Sequence, residues 1–226
     1  ADASFRRYLR VDSAHGCRIV MDAPPEKENC HPFVHVARLM EAAGLNVPEV
    51  LAWDETNGFM LLSDLGNHTM MQVIDRQAPP PLDLYLQAVD VLVQWQLASK
   101  PTELPPYDEA LLRRELELFP EWYITAHRGI TIDAPMRKTL DEAFGHIVQN
   151  NLSWPNVYVH RDFMPRNLMV SPLQSSLGVL DFQDAVFGPI TYDIASLMRD
   201  AFLSWEEDFC LDVTIRYWQK ARKAGL

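Results

Sequence analysis

The segment Val159-His160-Arg161-Asp162-Phe163-Met164-Pro165-Arg166-Asn167-Leu168-Met169-Val170, followed by Val179-Leu180-Asp181-Phe182-Gln183-Asp184, concentrates the residues able to do chemistry. It sets an acid just after an apolar strand, an amide five positions on, and a second acid at the end of a following strand. Phosphoryl transfer onto a hydroxyl needs such a set. One carboxylate orients the acceptor hydroxyl and takes its proton, and oxygen ligands hold the magnesium ions that bridge nucleotide phosphates. Asp162 suits the base, and Asn167 and Asp181 suit the metal. The plainer alternative is that Asp162 and Asn167 cap a loop and Asp181 caps a helix, as short polar residues often do. Any one alone is more often structural, whereas the three in step with His160 and Asp193 favour the chemical reading. His160 itself reads as packing under the loop and Asp193 as an anchor at a helix start. Arg161 and Arg166 are either phosphate contacts or ordinary loop charges.

The elements that must position these residues change character along the chain. Residues 5–11 and 18–23 flank a polar connection ending in Gly16, the pattern of a β-hairpin, and Pro24-Pro25 stops the second strand. His35 to Ala43 carries Val36, Leu39 and Met40 at helical spacing, with Gly44 as its stop. Val50–Trp53 and Phe59–Leu62 form a second hairpin around Asn57-Gly58. After Ser63-Asp64-Leu65-Gly66 the period becomes helical: residues 82–99, Tyr107 to about Ala126, and Pro135 to about Asn150. Short strands at Val157–His160 and Leu177–Phe182 then carry the chemical loops at 161–167 and 182–189, and helices follow at Ile194–Phe202 and Phe209–Ala224. A small sheet with one helix followed by a mainly helical half predicts an α+β fold of two lobes.

Bulk properties agree with a folded, independent domain. With 226 residues, 48% of them hydrophobic, the chain can bury a real core. Cys17, Cys30 and Cys210 show no metal-ligand or disulfide spacing and suit a reducing cytoplasm. No apolar run approaches the ~20 residues that span a bilayer, so no membrane partner is expected. A net charge of −11 argues against a nucleic-acid binder.

The pattern His-x-Asp-x-x-x-x-Asn with the downstream Leu180-Asp181-Phe182, and Gly188-Pro189-x-x-Tyr192-Asp193-x-Ala195 after it, resembles the aminoglycoside phosphotransferase and choline kinase group of protein-kinase-like folds. Within it, Asp2-Ala3-Ser4-Phe5-Arg6-Arg7-Tyr8, Val20-Met21-Asp22-Ala23-Pro24-Pro25-Glu26, Glu117-Leu118-Phe119-Pro120-Glu121-Trp122-Tyr123 and Leu180-Asp181-Phe182-Gln183-Asp184-Ala185 look most like bacterial anomeric sugar kinases. Those enzymes phosphorylate N-acetylmuramate and N-acetylglucosamine at C1 in cell-wall recycling. The resemblance implies ATP and Mg2+ as cofactors, a small sugar acceptor and a cytoplasmic, monomeric enzyme. It implies a nucleotide-binding lobe at residues 1–63, a hinge at 64–67 and a helical lobe with the acceptor site at 68–226. It also implies truncation at both ends.

Residue by residue, Ser4 falls in the position of the phosphate-covering loop, and Ser63 and Leu65 in the linker that meets the adenine edge. The resemblance breaks at the strand lysine and helix glutamate that position ATP in typical kinases: those places fall on Met21 or Asp22 and near Phe33. Replacement cations are then expected among Arg6, Arg7, Arg10, Lys27 and Arg166. Alternation along the strand groups Arg6 and Arg10 on one face, and Leu9 and Val11 on the other read as core. For the acceptor, Glu121, Tyr123 and Trp205 suit a sugar, with Asp184 and Asp200 as polar contacts. The same carboxylates would serve the cationic acceptor of an aminoglycoside or choline-type kinase, and the aromatics read equally as helix packing. A nucleotide-binding pseudokinase is the third reading, opposed by the intact Asp162, Asn167 and Asp181.

Overall fold

The computed structural model describes residues 5–14, 16–171 and 176–226. Strands β1 (Arg7–Ser13) and β2 (Gly16–Asp22) form the first hairpin, with Arg7 opposite Asp22 and Ser13 opposite Gly16. β3 (Val50–Asp54) and β4 (Phe59–Ser63) form the second, and β4 pairs with β2 to give one antiparallel sheet of order β1-β2-β4-β3. The second turn requires glycine. Gly58 has φ +76°, and a Cβ there would lie 2.2 Å from the carbonyl oxygen of Ala23.

Met21, Met60 and Leu62 on the inner strands are buried, together with Phe33, Val36, Ala37 and Met40 of helix α1 (His31–Ala42). The helix begins four residues earlier than the spacing predicted, because Pro32 fits the first turn, where no N–H is needed. Leu9 and Val11 correct another expectation: they are 57% and 38% exposed, since β1 is an edge strand exposed along its whole length.

β5 (His68–Thr69) leads into the single-turn α2 (Met70–Val73), closed by a Thr69/Gln72 capping box. Helix α3 (Leu82–Leu97) buries Tyr85, Ala88, Val89, Leu92 and Trp95 and packs on the last helix, where Tyr217 donates to Gln96 Oε1 at 2.7 Å.

Next come α4 (Glu109–Leu118), a π-helical stretch at Phe119–His127, α5 (Ala134–Leu152) and β6 (Asn156–Val159). The continuous helix expected from Tyr107 to Ala126 thus starts later and changes character part-way. Asp108 caps α4 and leaves Tyr107 outside it, donating its N–H to Phe187 O at 2.8 Å. Pro120 lacks the N–H an α-helix would use and the turn widens. A 3-10 turn (Pro165–Asn167) precedes β7 (Leu168–Val170), β8 (Gly178–Val179) and β9 (Val186–Pro189), and the chain closes with α6 (Tyr192–Met198) and α7 (Glu207–Ala224). The small sheets β5-β7-β8 and β6-β9 are separate from the first, so among the described residues no sheet runs through the whole chain.

The fold is α+β, as expected. It has two compact units: one holds residues up to Ala98, His160–Ala185 and Asp193–Leu226, the other Ser99–Val159 with Val186–Tyr192. Among the described residues no helix is long and apolar enough to cross a membrane.

Candidate active site

The loop after β6 is held from below by Asp193 at the start of α6. Its buried carboxylate accepts the N–H of His160 at 2.7 Å and of Arg161 at 3.0 Å. Those two bonds hold Arg161 at φ +77°, a left-handed conformation that costs a non-glycine residue on the order of 1 kcal/mol. Burial pushes the Asp193 carboxyl up to about 7, against the opposite pull of both N–H groups.

His160, also buried, uses both ring nitrogens. Nε2 donates to Leu180 O at 2.9 Å and Nδ1 accepts the Asp162 N–H at 3.2 Å. One nitrogen donates and the other accepts, so the ring is neutral, and burial brings its pKa down to about 4. Its effect is to tie the backbone of Asp162 to the residue preceding Asp181.

Asn167 completes the tie. Its side-chain amide donates to Asp162 O at 2.9 Å and its own carbonyl accepts Leu180 N–H at 2.9 Å. With that N–H2 group committed, Asn167 Oδ1 is the end able to meet a cation. Asp181 sits at φ +62° with Oδ1 taking Gln183 Nε2–H at 2.9 Å, and it is exposed. Two oxygen donors fit magnesium, which keeps waters and substrate phosphates as its other ligands. Among the described residues no group of three or more His, Cys, Asp or Glu could hold a metal.

The cations named in the sequence have separate partners. Arg7 pairs with Asp22 across the hairpin, and its side chain is 75% exposed. Arg10 forks onto Asp64, with Nε–Oδ2 at 2.7 Å and Nη2–Oδ1 at 3.0 Å, and also reaches Gly66 O at 2.7 Å and Asn67. Arg6 pairs with Glu28, Nε–Oε2 at 3.2 Å. Lys27 lies over the Phe5 ring at 4.7 Å and Arg166 over the Phe202 ring at 5.3 Å. The places of the ordinary lysine and glutamate are filled otherwise: Met21 is fully buried, and Phe33 packs on Phe182 with ring centroids 4.9 Å apart.

A family model for the phosphotransferase enzyme family, APH, matches residues 1–225. The chain belongs to that family. It is 47% identical over 227 residues to the N-acetylmuramate/N-acetylglucosamine kinase of Pseudomonas aeruginosa, covering 100% of this chain and 66% of the relative. The kinase of the same name from Neisseria meningitidis serogroup B is 44% identical over 229 residues, at 100% and 67% coverage. The chain therefore spans about two thirds of the length of these curated relatives. Among solved structures, ADP-bound aminoglycoside phosphotransferase APH(2'')-Ib superposes with TM-score 0.66 at 16% identity, over 97% of this chain and 80% of that one. Choline kinase LicA from Streptococcus pneumoniae gives 0.66 at 13%, over 93% and 70%. These two likenesses establish the kinase-like fold.

In this member of the family the remaining sequence candidates are dispersed. Ser4 lies outside the described residues. Ser63 Oγ accepts the Glu49 N–H at 2.8 Å, and Leu65 is buried against Gly178. Asp184 is exposed, and its carbonyl accepts from Arg161 Nη1 at 3.3 Å. Asp200 is 8% exposed and takes the Phe202 N–H on Oδ1 at 3.2 Å, next to the ring that Arg166 covers. Trp205 donates to Tyr85 Oη at 2.6 Å. Glu121 and Tyr123 lie exposed on the π-helical stretch of the other compact unit, with Tyr123 stacked between Phe119 and His127. Sequence reasoning missed Asp64 and Glu28 as partners of the arginines. The only available signal was an acid inside the linker and another in the β2–α1 connection, neither at a periodic spacing.

Proposed function

We propose that this chain is the catalytic part of an ATP-dependent sugar kinase that phosphorylates the C1 hydroxyl of N-acetylmuramate and N-acetylglucosamine. The observation that carries phosphoryl transfer is the tie among Asp162, His160, Asn167 and Leu180, which fixes a carboxylate and two oxygen donors on adjoining loops. The acceptor is taken from the relatives at 44–47% identity.

In this reading Asp162 orients the C1 hydroxyl and takes its proton as the O–P bond forms and ADP leaves. Asn167 and Asp181 would hold Mg2+, which when bound would supply positive charge to offset that of the nucleotide phosphates. Residues 1–63 bind the nucleotide, 64–67 act as the hinge and 68–226 carry the loops and acceptor contacts. Ser4, Arg6 and Arg166 are the phosphate contacts, and the backbone of Ser63 and Leu65 meets adenine. Arg10, assigned to the nucleotide by sequence, supports it through the linker it straps. Asp184, Asp200 and Trp205 are acceptor contacts, supported by Arg166 joining the catalytic loop to the segment after Asp200. Glu121 and Tyr123 are included for their exposed polar and aromatic groups. The reducing cytoplasm, where ATP is available, is the compartment that suits the enzyme and its three free thiols, and we place it there as a monomer.

The deciding assay mixes the protein with ATP, magnesium and, separately, N-acetylmuramate, N-acetylglucosamine, an aminoglycoside and choline, and follows ADP. Release with the two amino sugars is expected. Release only with a cationic acceptor would replace the sugar reading, and nucleotide binding with no release would favour a pseudokinase.

A further inference from the structure

We propose that Glu28 is a positioning residue for the nucleotide phosphates, and that Arg6 and Glu28 together replace the missing lysine–glutamate pair from a different place in the fold. The proposal rests on the phosphotransferase reading and adds a residue to it. Three observations carry it.

The first is that Arg6 and Glu28 are, among the described residues, the most enclosed of the ion pairs near the N-terminal strands. Their side chains are 10% and 12% exposed, against 75% for Arg7 and 43% for Arg10. A pair withdrawn from water repays its desolvation only if the geometry is good and further hydrogen bonds complete it. Here they do. The second Glu28 oxygen accepts the Phe5 N–H at 2.7 Å, so one carboxylate fixes both the backbone entering β1 and the side chain of the next residue.

Direction is the second observation. The face of β1 that carries Tyr8 and Arg10, with Arg6 just ahead of the strand at the same alternation, is turned toward the linker, where Arg10 reaches Asp64. Half of Tyr8 is exposed, and Arg6 sits beside its hydroxyl.

The third is what occupies the usual places. Phe33 packs on Phe182, the residue after Asp181, so α1 meets the metal loop through an aromatic contact in which an ion pair has no room. Glu28 instead comes from the connection ahead of α1. A guanidinium carries five N–H donors, enough to serve a carboxylate and a phosphate together, which a lysine ammonium does less well. Holding it in place before ATP arrives removes rotamer freedom that binding would otherwise have to freeze.

Glu28→Gln separates the roles, because glutamine still accepts the Phe5 N–H and loses only the charge. The experiment measures Kd for ATP with magnesium and for adenosine in the wild type, Glu28→Gln, Arg6→Ala, Arg6→Lys, the Arg6→Ala/Glu28→Gln double variant and Asp181→Ala. Glu28→Gln and Arg6→Ala are each expected to weaken ATP about tenfold while adenosine changes less than twofold, and Arg6→Lys to recover part of the loss. If Glu28 acts through Arg6, the double variant matches Arg6→Ala alone. Parallel loss of ATP and adenosine affinity would mean a merely structural pair, and additive losses would mean that Glu28 acts independently; either overturns the proposal. Should Glu28→Gln fail to bind adenosine, Arg6→Ala against Arg6→Lys decides: equal ATP affinity in the two overturns it. An ATP affinity lost in Asp181→Ala but untouched at Arg6 and Glu28 sinks the pair and leaves the phosphotransferase reading standing. A wild type that binds no nucleotide overturns both.

Discussion

Asp162 and His160 are near neighbours with opposite requirements, and their environments show it. In the proposed reaction Asp162 reaches an acceptor, whereas His160 is sealed between Asp162 N–H and Leu180 O. Asp162→Asn keeps the size of the side chain and removes its basicity. It is expected to lower kcat by roughly 10²–10⁴-fold with Kd for ATP nearly unchanged, and a kcat within threefold of wild type would remove Asp162 from the base role. His160 instead has a stability signature. Its pKa falls from the ordinary 6.5 to about 4, so between those values the unfolded chain binds more protons and stability falls on acidification. Asp193 runs the other way: raised from 3.8 to about 7, it binds more protons folded, and stability rises on acidification across that window. The two largely offset, so the effect is read by difference. The stability penalty of His160→Gln should be smaller near pH 4.5 than near pH 7.5 by about 2–3 kcal/mol in urea unfolding; a pH-independent penalty would contradict a buried neutral ring. At this scale the sequence pointed to Asp162, Asn167 and Asp181, whose loops the structure ties together, because type and spacing are local properties. Glu28 was not legible, since its pairing with Arg6 depends on where a non-periodic connection passes the edge strand.

At the scale of elements, short strands aim the loops. β8 is two residues long and is followed almost at once by Leu180 and Asp181. It is fitted closely: a Cβ on Gly178 would lie 2.8 Å from Leu65 Cδ1, 3.1 Å from Met169 Cβ and 3.2 Å from Asn46 Nδ2, while Asn46 O accepts the next N–H, from Val179, at 2.8 Å. Gly178→Ala should therefore cost about 1–3 kcal/mol of stability and lower kcat through a displaced Asp181. Gly145 in α5 has open space around its missing Cβ, so Gly145→Ala should stabilise by about 0.5–1 kcal/mol and leave kcat alone. Chemical denaturation with parallel kinetics tests both, and a neutral Gly178→Ala would show that β8 yields without moving the loop. Both hairpins were readable in advance from their turn signals and α3 with α7 from their period, although burial in β1 does not follow the alternation. The break of α4 at Pro120, the bridge at Tyr107 and the pairing of β9 with β6 were not, because they depend on contacts remote in sequence.

Taken whole, the molecule carries a net charge of −11, and this bears on the choice between the two proposed acceptors, which are of nearly equal shape. N-acetylmuramate differs from N-acetylglucosamine by a lactyl ether whose carboxylate is ionised at neutral pH, so one acceptor is an anion and the other neutral. A protein field of negative sign repels the anion during encounter. The repulsion fades as added salt shortens the Debye length from about 20–30 Å near 0.01–0.02 M to about 8 Å at 0.15 M. The ratio of kcat/KM for N-acetylmuramate to that for N-acetylglucosamine should therefore rise with ionic strength, by roughly twofold to fivefold between those conditions. Taking the ratio cancels any effect of salt on ATP, which is common to both reactions. A cationic aminoglycoside, if it reacts at all, should show the reverse trend. A ratio that stays flat or falls with salt would mean that the acceptor meets a locally positive surface, with Arg166 on the catalytic loop as the first residue to test. Arg166→Gln would then restore the rise.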